Sequence, residues 1–129
     1  TKTLHPRQRS LIYLTLKLDE GLHVYGEPIS DGFLPTTVVA TGSEGLTFGE
    51  HQFPATKPFR IEEINEEFNA YDGNLEIVIP VVSTIREVGT AEIDLKVSFQ
   101  ACTDAMCYIP RTESIKLELA TAPNVAKVE

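Results

Sequence analysis

Alternation with a period of two over nine consecutive residues constrains this chain more than any other feature. From Ala91 to Phe99, Ala91, Ile93, Leu95, Val97 and Phe99 are apolar, and Glu92, Asp94, Lys96 and Ser98 between them are polar. Successive side chains of a β-strand point to opposite faces, so this pattern specifies a strand with one face in a core and one in water. Three more segments repeat it. Ile12, Leu14, Leu16 and Leu18 alternate with Tyr13, Thr15 and Lys17; Leu75, Ile77, Ile79 and Val81 with Glu76, Val78 and Pro80; and Ile115, Leu117 and Leu119 with Lys116 and Glu118. Pro80 cannot donate to a ladder, which predicts an edge strand or a bulge there.

Turn-forming stretches separate these segments: Asp19-Glu20-Gly21, Ser30-Asp31-Gly32, Thr41 to Gly45, and Tyr71-Asp72-Gly73-Asn74. Strands joined in this way point to an all-β, antiparallel sandwich. Residues 62–68 are acidic with too few apolar positions to define a helical face, and read as loop or one helical turn. Thr1–Ser10 and Thr121–Glu129 read as tails around a domain spanning 11–120, with no repeat or low-complexity tract.

The chemistry centres on two cysteines, the only two in the chain, within Gln100-Ala101-Cys102-Thr103-Asp104-Ala105-Met106-Cys107-Tyr108-Ile109-Pro110. A strand ending near Ala101 that turned back through Thr103 to Met106 would make them cross-strand neighbours. Opposed Cα atoms of an antiparallel pair lie about 4.5–5.5 Å apart, within reach of a disulfide. Such a bond closes a loop of about six residues, worth roughly 2 kcal/mol by chain entropy against about 4.7 for a hundred-residue loop. A stabilising bridge would do more between distant strands, which favours a redox pair; yet small exported domains do carry structural disulfides, and the spacing leaves both readings open. Extending the parity of residues 91–99 places Cys102 on the outer face, where a thiol can exchange with other proteins.

Charge and composition exclude several classes. Nineteen acidic against eleven basic residues give a formal charge of −8, so nucleic acid or an anionic membrane would be met with repulsion. The longest near-continuous apolar run, Ile77 to Val82, is too short to span a bilayer. Opening at Thr1 without an initiator methionine or apolar signal core, the chain reads as a mature or excised fragment, which a larger parent protein would accommodate. His5, His23 and His51 offer metal ligands alongside the cysteines but lack the short paired spacings of zinc sites. There is no glycine-rich phosphate loop, nucleophile elbow or distinct carboxylate pair, so hydrolase and kinase chemistry find no support. The acidic run Glu62-Glu63 with Glu66-Glu67 reads as a solvated face.

The cysteine segment, followed by Thr112 and the strand at Ile115, resembles the amino-terminal periplasmic domain of the thiol:disulfide interchange protein DsbD. Gly21-Leu22-His23-Val24-Tyr25 looks like that family's Gly-aromatic-aromatic-aliphatic-Tyr segment, and Leu75 to Val81 like its Leu-x-Leu-Pro-Val strand, so the likeness spans roughly 11–120. The resemblance implies an immunoglobulin-like sandwich whose cysteine pair cycles between dithiol and disulfide without a cofactor. It implies a thioredoxin-like donor, periplasmic acceptors such as disulfide isomerases or cytochrome c maturation proteins, and a periplasmic location. By position, Cys107 matches the cysteine that bonds to partners and Cys102 the one that resolves the intermediate. Four residues separate the cysteines here, one fewer than in some relatives.

The resemblance also singles out supporting residues. His23 and Tyr25 fall where the family sets aromatics beside the cysteines; a histidine there would lower a thiol pKa, the alternative being a strand-end histidine in solvent and a tyrosine packed on the sheet. Family members cover the disulfide with an aromatic-bearing loop, corresponding here to about Gln52–Phe59 and making Phe53 or Phe59 the candidate cap. Independently of the resemblance, Asp104 inside the cysteine loop would accept a proton during exchange or, as the simpler expectation, supply turn chemistry, since Asp favours such loops. The competing function is a non-catalytic immunoglobulin-like binding module whose disulfide only braces a hairpin.

Overall fold

The strong alternating segments become the longest strands. The computed structural model describes residues 3–26, 34–61, 66–103 and 105–123, and among these it is all-β, with no helix. The strands are β1 (Arg9–Lys17), β2 (His23–Tyr25), β3 (Thr37–Gly42), β4 (Leu46–Phe48), β5 (Lys57–Ile61), β6 (Glu66–Asp72), β7 (Asn74–Ser83), β8 (Gly89–Phe99) and β9 (Arg111–Thr121). They form three antiparallel sheets ordered β1-β7-β4, β2-β6-β5 and β3-β8-β9.

Inner faces of β7 and β8 supply one continuous core. Leu75, Ile77, Ile79 and Val81 from β7, and Ala91, Ile93, Leu95, Val97 and Phe99 from β8, are all buried, joined by Leu14, Val24, Val38, Tyr71 and Leu119. Each fully buried aliphatic side chain contributes about 1.5–3 kcal/mol, so this face-to-face burial is the main source of stability. Turns expected at Asp19–Gly21 and at Gly73 form as anticipated: Gly21 and Gly73 take φ of 88° and 67°, a region open to glycine at little cost. Gly73 carries the chain from β6 directly into a different sheet, and its carbonyl accepts the Leu18 amide at 2.9 Å. The turn at Ser30–Gly32 lies outside the described residues.

Two expectations are corrected and a third resolves to one of its alternatives. Of the edge or bulge expected at Pro80, it is a bulge that forms, because β7 lies between β1 and β4. The irregularity sits in the neighbouring segment: Phe48 faces Val81 and Gln52 faces Val78, so Gly49, Glu50 and His51 oppose only Ile79 and Pro80. This one-residue bulge lies beside the proline nitrogen, where a ladder donor is missing. Glu66, Glu67 and Phe68 are not loop or helix but the start of β6, paired with Ile61, Arg60 and Phe59 of β5; Glu62 and Glu63 lie outside the described residues. Lastly, residues read as tails join the fold. Leu4 is buried in the core, its amide donates to the Ala120 carbonyl at 2.8 Å, and Thr121 is a buried β9 residue.

Candidate functional site: a disulfide hairpin beside a buried histidine

β8 ends at Phe99, and the chain turns back where the sequence predicted. Cys102 and Cys107 face each other across an antiparallel bridge, their Cα atoms 4.0 Å apart, and are joined as a disulfide. The hairpin does not depend on that bond alone. The Thr103 amide donates to the Met106 carbonyl at 2.7 Å and the Tyr108 amide to the Ala101 carbonyl at 2.9 Å. The Thr103 hydroxyl oxygen accepts the amides of Ala105 and Met106 at 3.1 and 3.0 Å. Thr103 thus supplies side-chain turn chemistry to the hairpin; Asp104, expected to do the same or to accept a proton, lies outside the described residues.

The two sulfurs occupy different environments. Cys102 is 0% exposed, whereas Cys107 is exposed, among Met106, Tyr108 and Ile109 that are 55%, 50% and 85% exposed. The outward placement of Cys102 is therefore wrong. Parity carries along a strand only while the strand continues, and β8 stops three residues earlier. Cys102 then pairs sideways with β2: the His23 amide donates to the Cys102 carbonyl and the Cys102 amide to the His23 carbonyl, both at 2.9 Å. Directly opposed residues put their side chains on one face, with Cβ atoms about 4.5–5.5 Å apart. His23 and Cys102 are thus neighbours on the same side of the sheet.

Several residues on that side are buried. Tyr25, Ala70 and Cys102 are buried without belonging to the main core, and His23 is only 4% exposed, so it is not a solvent-facing strand end. Val24 between His23 and Tyr25 turns the other way, into the core with Tyr71, its partner on β6. His23 Nε2 and the Tyr25 hydroxyl lie 3.0 Å apart, with the rings edge-on at 5.0 Å between centroids. Burial raises the Tyr25 pKa above the usual tyrosine range, so its hydroxyl stays protonated and can donate or accept.

Of the two cap candidates, Phe53 is half-buried against the core, 6.4 Å from the Tyr71 ring between centroids. This sets it on the core side of the β2-β6-β5 sheet, away from the face shared by His23, Tyr25 and Cys102. Phe59 lies in β5 opposite Phe68, and its side chain is outside the described set. Among the described residues no three of His, Cys, Asp and Glu are grouped to hold a metal ion. Met106, Tyr108 and Ile109, exposed on either side of Cys107, have no role that the motif alone assigns. Their signal was available: three large apolar residues around a turn, beyond the last position that alternation could bury.

An all-β sandwich with a disulfide hairpin at the end of a core strand, one cysteine exposed and one buried, is an immunoglobulin-like domain with a disulfide open to exchange from one side. The family model described as "Thiol:disulfide interchange protein DsbD, N-terminal" matches residues 1–119, and the chain belongs to that family. No curated protein matches it. Among solved structures, it is similar to the reduced DsbD amino-terminal domain of Neisseria meningitidis, with 14% identity, a TM-score of 0.54, and 84% of this chain and 76% of that one covered. It is also similar to the amino-terminal periplasmic domain of ScsB from Proteus mirabilis, with 17% identity, a TM-score of 0.63, and 90% of this chain but 45% of that one covered.

Proposed function

We propose that this domain relays reducing equivalents from a thioredoxin-like donor to protein partners of the bacterial envelope, through reversible opening of the Cys102–Cys107 disulfide. The observation that carries the reading is the asymmetry of exposure across the bond. Thiol–disulfide exchange requires a thiolate to approach one sulfur along the S–S axis, and a protein nucleophile has access only to Cys107. A donor thiolate attacks Cys107 Sγ, the intramolecular bond breaks, and the electron pair leaves on Cys102. A second donor thiol releases the domain as a dithiol. Cys107 then attacks an acceptor disulfide, and Cys102 resolves the mixed disulfide. The sulfurs themselves carry the electron pair, so the cycle needs no bound cofactor. Disulfide isomerases and cytochrome c maturation proteins are the acceptor classes that the family membership supports, and the periplasm is the matching compartment.

Trapping tests the reading directly. Cys102→Ala leaves Cys107 as a lone thiol and should accumulate a mixed disulfide with a thioredoxin-like protein that lacks its own resolving cysteine and whose remaining cysteine is carried as its mixed disulfide with thionitrobenzoate: Cys107 attacks that sulfur, thionitrobenzoate leaves with the electron pair, and the product is seen on non-reducing gels and by mass. Cys107→Ala should not. Failure of Cys102→Ala to trap, or equal trapping by both variants, would overturn the relay and leave the disulfide as a hairpin brace.

A further inference from the structure

Every passage through the proposed cycle creates or consumes a thiol at a position closed to water. Cys102 is 0% exposed, and a thiolate in such a place is costly unless something takes up the proton and faces the charge. The structure places one imidazole beside it. His23 and Cys102 share both backbone hydrogen bonds of their bridge, which sets their side chains at directly opposed points of one face, and both residues are buried. The ring is not left to rotate, because Nε2 is held at 3.0 Å by the Tyr25 hydroxyl. A hydroxyl both donates and accepts, so it keeps its bond to the ring in either charge state. Resting on the relay reading above, we propose that His23 is the proton acceptor and donor for Cys102, with Tyr25 as its positioning residue.

The step balances as follows. In the mixed disulfide between Cys107 and an acceptor, the imidazole takes the Cys102 S–H proton. The resulting thiolate attacks Cys107 Sγ, the Cys102–Cys107 bond forms, and the interprotein S–S bond breaks. The electron pair leaves on the acceptor's sulfur, which collects a proton from the imidazolium or from water; the acceptor is reduced and the domain oxidised. In the other half of the cycle, the imidazolium protonates Cys102 as a donor thiolate opens the bond at Cys107. Other groups around His23 are Tyr25 on its own strand, Asp72 opposite it on β6, and Asp19 and Glu20 of the preceding turn, which line the open groove above it. Asp72 is exposed and paired with Lys57 at 3.1 Å.

The test mixes the reduced domain with 5,5′-dithiobis(2-nitrobenzoate) and follows thionitrobenzoate release in stopped flow from about pH 5 to pH 9. A first phase, dependent on reagent concentration, modifies Cys107; a second, independent of it, is the attack by Cys102. The second phase should titrate in the imidazole range, between about pH 5 and 8, and not near the ordinary thiol value of about 8.5. In His23→Gln, which keeps a polar side chain but neither gains nor loses a proton near neutral pH, the ratio of second- to first-phase rates at pH 7 should fall about tenfold or more, and the midpoint should move to the thiol range. Tyr25→Phe should displace the midpoint while retaining a histidine-dependent limb. A wild-type second phase already titrating as an ordinary thiol, or a His23→Gln profile matching wild type, overturns the proposal. The wild-type profile decides the matter even if a variant misfolds. Absence of the first phase would instead sink the exchange reading, and this inference with it.

Discussion

Reduction of the Cys102–Cys107 bond should leave the domain folded and weaken it by about 2 kcal/mol. The bonded residues are five apart in sequence, so the cross-link closes a loop of about six residues, and the chain-entropy relation gives about 2 kcal/mol for it. What remains after reduction is substantial. The Thr103–Met106 and Ala101–Tyr108 hydrogen bonds hold the hairpin, the two His23–Cys102 bonds hold it to β2, and the main core excludes the disulfide. A typical net stability of about 5–15 kcal/mol absorbs such a loss. For a two-electron couple it corresponds to a disulfide about 45 mV harder to reduce in the folded than in the unfolded chain. A brace across a hundred-residue loop would instead contribute about 4.7 kcal/mol, or about 100 mV. Urea melts of the oxidised and dithiothreitol-reduced protein, followed by far-ultraviolet circular dichroism, measure this. With slopes of about 1–3 kcal/mol/M, the reduced midpoint should fall by about 1 M. A reduced protein without a folded baseline, or a loss of about 5 kcal/mol, would refute the reasoning and make the bond a structural staple.

Two further outcomes test the surrounding fold. Leu4→Ala should cost about 2–5 kcal/mol in the same melts, since Leu4 is 1% exposed within the core; a loss under about 0.5 kcal/mol would return residues 3–8 to the status of a tail. Burial raises the pKa of two of the four tyrosines, Tyr25 and Tyr71, above 10.0. As pH climbs past about 10, the unfolded chain loses these protons first, so it binds fewer protons than the native state and stability falls until the native phenols ionise. Denaturant melts between pH 8 and 11 should show that decline, with a shallower slope in Tyr71→Phe; a flat profile in wild type would contradict it.

What the sequence determined by itself was whatever is encoded within a strand or a tight turn. Alternation from Ala91 to Phe99 named the buried face of β8, the Leu75–Val81 pattern named that of β7, and the interval between the cysteines permitted the hairpin that forms. These are local properties: the pleat fixes which side chains share a face, and a short loop brings its ends together whatever surrounds it. Tertiary structure decided everything that depends on a distant partner. Pro80 is tolerated in a central strand because the bulge at Gly49–His51 falls beside its missing donor. Glu66 to Phe68 becomes strand because Phe59 to Ile61 offers it a ladder, which overrides a weak local preference. Above all, the difference between the two sulfurs is not local. Alternation put Cys102 outside, and it lies inside because β2, far away in the chain, pairs with it and brings His23 and Tyr25 to the same side of the sheet. Burial is a property of what a second segment lays against the first, and strand parity carries no information about that second segment.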